Sequence, residues 1–159
     1  MAKYLIDFDG VIMDTQERFD EYINSHPEVS WYEFLTTLDW DNFIGNSKEI
    51  KNSLSIIREA EQNGVILGIL TKVYSLQEAS SKISFLRENG ITSPVMIAPF
   101  TNSKADIWFP KSDEYLIDDK VENVEDFISR GGQGILFDET GKKKYKNKVK
   151  SLEFLLSEN

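Results

Sequence analysis

The sequence predicts an α/β fold: a parallel sheet with helices on both faces and a small helical insert after the first strand. Three observations point there. Short, continuously apolar runs recur along the chain, amphipathic stretches at helical spacing separate them, and one long aromatic stretch breaks the alternation. Residues 4–8 read as a buried strand, and further strand-like runs follow at 65–70, 94–98, 115–117 and 134–137. Between them, 47–63 carries Ile50, Leu54 and Ile57 at helical spacing, with Ser47 as N-cap and Gly64 as the left-handed stop. Residues 75–89 repeat the design, with Leu76, Ala79, Ile83 and Leu86 on one face and Gly90 as the stop. A third helix, 121–130, ends at Gly131 and Gly132. Strands joined by helices of this length imply right-handed crossovers and parallel pairing. Residues 14–46 stand outside the repeat; aromatic and acidic, they read as two or three short helices forming a lid. At 159 residues the chain has room for one domain, 1–159, carrying that insert.

Composition narrows the function classes. The absence of Cys excludes disulfides, a thiolate metal site and a cysteine nucleophile, and makes a reducing compartment, the cytoplasm, the expected location. No apolar run approaches the roughly 18 residues a membrane span needs, so no membrane association is expected. Net charge is −9, and six of the 18 basic residues lie between Lys142 and Lys150, leaving 12 basic against 25 acidic side chains in residues 1–141. Such a surface repels a nucleic-acid polymer, whose binding needs several cations to displace condensed counterions. A small anionic ligand fits if a cation or a cluster of donors neutralises it. The lysines of 142–150 read as a solvated face, and Leu152, Leu155 and Leu156 as a closing helix.

Ligands of open parallel sheets bind beyond the carboxyl ends of the strands, so the polar residues ending each strand are the ones to collect. They are Asp7 and Asp9 after the first strand, Thr71 and Lys72 after the second, and Asp118 and Asp119 after the strand at 115–117. Four carboxylates meeting at one edge repel one another, which calls for a cation; oxygen-only ligands without nearby His or Cys suit Mg²⁺. A calcium loop starting at Asp7 is excluded, because its twelfth position, which must supply a bidentate Glu, is Arg18. His26, followed by Pro27, reads as a surface residue of the lid.

Asp7-Phe8-Asp9-Gly10-Val11, the apolar strand ending in Thr71, a lysine ahead of the last motif, and Leu116-Ile117-Asp118-Asp119 resemble, in order, the four motifs of the haloacid dehalogenase superfamily. The resemblance implies a Rossmann-like phosphohydrolase with Asp7 as nucleophile, Asp9 as general acid and base, Thr71 holding phosphoryl oxygens, and Mg²⁺ among Asp7, Asp9, Asp118 and Asp119. It implies that Asp118 ligates the metal directly, that Asp9 contributes its backbone carbonyl, and that the insert is a short cap. Asp9 matters because the superfamily's dehalogenases lack it. The chemistry is intelligible on its own terms: a carboxylate nucleophile, an acid/base two residues on, and a metal and a lysine to neutralise the phosphoryl charge. Lys104, after the N-cap signature Thr101-Asn102-Ser103, is favoured for the lysine over Lys111, and Lys72 is a candidate substrate contact.

The stretch from Asp118-Asp119 through Asn123 to Gly131-Gly132 and Phe137-Asp138 resembles the 5′(3′)-deoxyribonucleotidase branch, although the insert here is shorter. That implies nucleoside monophosphates as substrates, with Trp31 and Trp40 of the insert as candidate stacking surfaces. The rivals are a sugar phosphate or similar small phosphometabolite as substrate, and a binding protein that keeps fold and metal without turnover.

Overall fold

The computed structural model describes residues 1–158. The chain runs through β1 (Lys3–Ile6), β2 (Met13–Asp14), α1 (Thr15–Ser25), α2 (Trp31–Thr37), α3 (Trp40–Gly45), β3 (Lys48–Glu49), α4 (Ser53–Gln62) and β4 (Ile66–Val73). It continues through α5 (Leu76–Glu88), β5 (Val95–Pro99), α6 (Lys104–Ile107), β6 (Glu114–Asp118), α7 (Val121–Ser129), β7 (Gln133–Phe137), β8 (Lys148–Val149) and a closing 3₁₀ turn at Glu153–Ser157. Six strands form the main sheet in the order β5-β4-β1-β6-β7-β8, every neighbouring pair parallel. This is the expected α/β, Rossmann-like fold. Alternation along β1 sends Tyr4 and Ile6 into a core shared with α4, α5 and the insert, and Leu5 into a smaller core under α6 and α7 with Ala105, Leu116 and Phe127. Helices therefore cover both faces. The strand order departs in both directions from β1, which puts the switch-point crevice at its carboxyl end.

The insert stands on a neck. β2 pairs antiparallel with β3, bringing Met13 opposite Glu49 and Asp14 opposite Lys48, so α1 to α3 leave and re-enter the sheet at one place. Each helix has its own start signal: Asp14 accepts from the Glu17 amide, Ser30 and Glu33 form a capping box, and Asp39 accepts from the Asn42 amide. Phe19 anchors the inside, with ring centroids 4.6 Å from Phe43 and 5.0 Å from Phe34. α3 packs on α5, where the Ser81 hydroxyl donates to Asp41 Oδ1 at 2.6 Å.

Several local expectations need correction. The helix expected from Ser47 starts at Ser53, because Lys48 and Glu49 are drawn into the neck ribbon and the Ile50 amide bonds to the Ile12 carbonyl. The Ser47 hydroxyl instead donates to the Phe43 carbonyl at 2.8 Å. Lys51 and Asn52 take left-handed backbone, φ 42° and 57°, and Lys51 Nζ ties that turn to the Glu139 and Lys150 carbonyls at 2.9 and 3.0 Å. Leu76, expected on the buried face of its helix, is 84% exposed at the first turn of α5. The lysine-rich segment is more than a solvated face: it supplies β8, Lys143 Nζ reaches the Asp119 carbonyl at 2.9 Å, and Lys148 Nζ reaches Gly141 O at 3.0 Å. Trp40, expected to face a substrate, is 4% exposed inside the insert's core, whereas Trp31 is 48% exposed. No helix among the described residues is long and apolar enough to cross a membrane.

The two tryptophans should separate in a urea titration. Trp40→Ala removes a buried aromatic and should cost about 3–5 kcal/mol of unfolding free energy, whereas Trp31→Ala at the surface should cost less than about 1 kcal/mol. Equal losses would contradict this division of the insert into core and rim.

Candidate active site

Strands β1, β4, β5 and β6, with the residues just after them, and helices α1, α5, α6 and α7 contribute to the site. Asp7 follows β1 and extends its ladder by donating its amide to Ile117 O at 3.0 Å. The chain then turns tightly, with the Ile12 amide on Phe8 O and the Gly10 amide on Met13 O, both at 2.9 Å. Gly10 has φ +78°, a conformation that favours glycine, and a Cβ there would run into the Asp119 carboxylate. Asp118 ends β6, fully buried, and is held by the Lys120 amide at 2.9 Å and by Asn123 Nδ2 at 3.1 and 3.2 Å.

Lys104 reaches the middle of this group. Ser103 caps α6 in a capping box with Asp106, which sets Lys104 on the first turn. From there its buried ammonium lies 2.6 Å from Asp118 Oδ2 and 2.7 Å from Asp7 Oδ1. Lys111 is exposed in the connection between α6 and β6. Of the two candidate lysines, Lys104 is the one that meets the carboxylates. Burial opposes its charge, but attraction to Asp118 and Asp7 outweighs that and holds its proton more tightly than usual.

One cation does not balance three carboxylates. Asp7, Asp118 and Asp119 each present an oxygen within 4.8 Å of the others, and Asp119 Oδ1 is buried with no hydrogen-bond partner. Burial pushes the Asp7 carboxyl well above its ordinary range, Asp118 adds to the push, and Lys104 opposes it. Burial and then the Asp118 charge push Asp119 up to about 6. An oxygen-only donor set with an orphaned carboxylate oxygen fits a hard divalent cation such as Mg²⁺. The carboxylate of Asp9 is not in that group.

Asp9 instead turns the other way, to a cation the sequence did not suggest. Its Oδ2 accepts from Lys82 Nζ at 2.7 Å and its Oδ1 from the Thr15 hydroxyl at 2.6 Å. Burial alone would raise the Asp9 carboxyl, but the Lys82 charge and hydrogen bond outweigh it and hold it below its ordinary range. Thr71 lies within β4, not at its end, and is wholly buried; its hydroxyl accepts from the same Lys82 at 2.9 Å. Lys82 and Glu78 sit one turn apart on α5, a spacing that reads equally well as a solvated surface pair, so nothing in the sequence marks them.

These groups surround a cleft of about 280 Å³. Asp7, Asp9, Asp119 and Lys104 line it, together with Lys72 and Lys120. Its aromatic wall comprises Phe19 of the insert, Tyr74 after β4 and Phe100 after β5, the last two rings 4.7 Å apart. Trp31 lies behind this wall, edge-on to Tyr74 at 5.3 Å and tilted against Phe19 at 6.2 Å, and neither it nor Trp40 lines the cleft. His26 is exposed and stacks on Tyr22, as a surface residue of the insert should.

No protein-family model and no curated protein matches the chain. Solved structures do match in fold. A HAD phosphatase from Thermococcus onnurineus superposes with TM-score 0.70 at 14% identity, covering 99% of this chain and 97% of that one. The putative HAD-hydrolase YfnB from Bacillus subtilis, bound to magnesium, gives 0.67 at 13% identity over 98% and 97%. CbbY from Rhodobacter sphaeroides, in complex with phosphate, gives 0.61 at 16% identity over 98% and 96%. The chain thus has the fold of the haloacid dehalogenase superfamily's hydrolases.

The raised Asp119 carboxyl has a thermodynamic consequence. Folded protein binds this proton more tightly than unfolded protein, so the stabilisation is complete below the ordinary carboxylate range and is lost as pH rises through about 6. In chelator, Asp119→Asn should therefore raise the melting temperature more at pH 7.5 than at pH 4.5. A variant whose gain is the same at both would contradict the crowding of these carboxylates.

Proposed function

We propose that the chain is a phosphomonoester hydrolase that works through a phosphorylated Asp7, with nucleoside monophosphates as its substrates. The observation that carries this is the division of charges in the cleft. One carboxylate, Asp7, is clustered with Asp118, Asp119 and Lys104, while a second, Asp9, is held apart on its own lysine, so two carboxylates two residues apart are set up for different work. Separate roles for nucleophile and acid/base are what a covalent phosphoryl transfer requires.

A carboxylate oxygen of Asp7 attacks phosphorus as the bond to the leaving alkoxide breaks, and Asp9 delivers the proton that makes the alcohol. The phosphoryl dianion beside Asp9 raises its affinity for that proton above the resting state. Water then attacks the phosphorus of the aspartyl phosphate and Asp9 takes a proton from it, while the bond between phosphorus and the Asp7 oxygen breaks and its electron pair returns to the Asp7 carboxylate. Lys104 stays between Asp7 and Asp118 and offsets negative charge through both steps. Asp7, Asp118 and Asp119 would hold Mg²⁺, which supplies further charge neutralisation at the phosphoryl oxygens. Among candidate alcohols, the Tyr74–Phe100 pair favours a flat aromatic group, because stacking on such rings is worth about 1–3 kcal/mol per base and a sugar phosphate gains little from it. The substrate contacts expected of Trp31 and Trp40 pass to Tyr74 and Phe100, and Lys72 keeps its place at the cleft wall.

Asp7→Asn keeps the shape but not the nucleophile and should abolish Mg²⁺-dependent phosphate release, a loss larger than the ~10²–10⁴-fold typical of an acid/base. Turnover at the wild-type rate would rule out the covalent route. Tyr74→Ala or Phe100→Ala should raise KM for a nucleoside monophosphate about tenfold, equivalent to ~1.4 kcal/mol, with little effect on a small generic phosphate ester. If both substrates suffer alike, the aromatic pair is structural and the nucleotide reading fails while the phosphatase reading stands.

A further inference from the structure

Lys82 is an unusual residue to find at its place. It lies on α5, in the middle of a helix, 1% exposed. Its ammonium is within hydrogen-bonding distance of four acceptors: Asp9 Oδ2 at 2.7 Å, Glu78 Oε2 at 2.8 Å, Thr71 Oγ1 at 2.9 Å and the Lys72 carbonyl at 3.1 Å. Burying an ammonium ion costs several kcal/mol unless its partners are well placed, and an apolar side chain of the same length would fill the volume without that cost. The partners explain the lysine. Three of them belong to residues at the cleft or under it, and the fourth, Glu78, is itself buried, lines the cleft and accepts from the Tyr74 amide at 2.8 Å.

The direction of each bond follows from the donor inventory. An ammonium has only hydrogens to give, so Thr71 Oγ1 must act as acceptor towards it, and the buried hydroxyl backs the lysine from beneath. Glu78 holds it from the side, fixed in turn by the Tyr74 amide. The Lys72 carbonyl lies furthest, at 3.1 Å, and the shortest contact, 2.7 Å, is to Asp9, whose second oxygen accepts from Thr15. Asp9 is thereby clamped on both oxygens, although its side chain is still 40% exposed to the cleft.

We propose that Lys82, backed by Thr71 and Glu78, is a positioning residue that clamps the Asp9 carboxylate in the orientation needed for proton transfer. This deepens the phosphohydrolase reading and rests on it. Thr71 acts here through Lys82, one layer behind the cleft, and not by touching the ester. The same helix carries Ser81, bonded to Asp41 of the insert, so the clamp and the docking surface of the insert share one rigid element.

The test uses Lys82→Met, which keeps length and burial but has no charge, with p-nitrophenyl phosphate and Mg²⁺. Turnover should fall at least about 100-fold, as expected when an acid/base is lost, while KM stays within threefold. A Lys82→Met protein that melts like wild type and turns over within threefold of it overturns the clamp, as does a loss seen only in KM. Because the chain has no cysteine, Lys82→Cys can be alkylated at that one position with 2-bromoethylamine in denaturant and refolded, which restores an ammonium at nearly the original reach. The clamp requires turnover to return to within about fivefold of wild type carried through the same treatment; refolded protein that stays inactive contradicts it. One arm needs no turnover: in ¹⁵N NMR the Lys82 ammonium protons should exchange more slowly than those of exposed lysines, and faster in Asp9→Ala. Exchange as fast as at exposed lysines refutes the clamp whatever the activity. Wild-type protein inactive on every phosphate ester, with Lys82 still protected, would sink the phosphatase reading and leave the contact standing.

Discussion

Everything at the sheet edge depends on one electrostatic constraint: the three carboxylates of Asp7, Asp118 and Asp119 are held together in a largely buried place with one ammonium among them. Like charges at that separation and burial are unfavourable, and the raised proton affinities of Asp7 and Asp119 register the cost. Lys104 offsets part of it by bonding Asp7 and Asp118 at once. The imbalance that remains is the chemical attraction for a divalent cation and for nothing with a soft or nitrogenous ligand preference.

The fold delivers that constraint through positions that have few alternatives. β1 and β6 are adjacent and parallel, in register from Lys3 opposite Glu114 to Ile6 opposite Ile117, so Asp7 and Asp118 emerge side by side. Gly10 lets the loop after β1 fold against Asp119, where any side chain would strike the carboxylate. Asn123 on α7 and the Lys120 amide fix Asp118 from behind, so its oxygens cannot rotate out of the group. On the other side of β1, α5 brings a second cation to Asp9. Two lysines from two helices thus sort two carboxylates of one short loop into different environments.

Much of this is legible in the sequence, for identifiable reasons. The apolar runs of β1, β4 and β6 are largely buried and are followed at once by Asp or Thr, a pattern surface residues do not imitate. Ser103 announces the helix that carries Lys104, which is why that lysine could be preferred over Lys111. Three things were hidden. Glu78 and Lys82 have the spacing of an ordinary exposed pair, and only tertiary packing turns them inward. Ser47 looks like a helix cap until the partner strand at Met13–Asp14 claims the next two residues. Trp40 and Trp31 are indistinguishable by composition, yet the first sits in the core of the insert and the second at its rim, while two of the aromatics that line the cleft, Tyr74 and Phe100, lie just beyond strand ends where the eye is drawn to polar residues.

The proposed bond between Asp7 and phosphorus can be read without kinetics. Protein mixed with Mg²⁺ and a nucleoside monophosphate, quenched in acid during turnover and digested, should yield one peptide heavier by a single phosphoryl group, with fragmentation placing the added mass on Asp7. Turnover with no modified peptide at any quench time, or modification at a different carboxylate, would contradict the account.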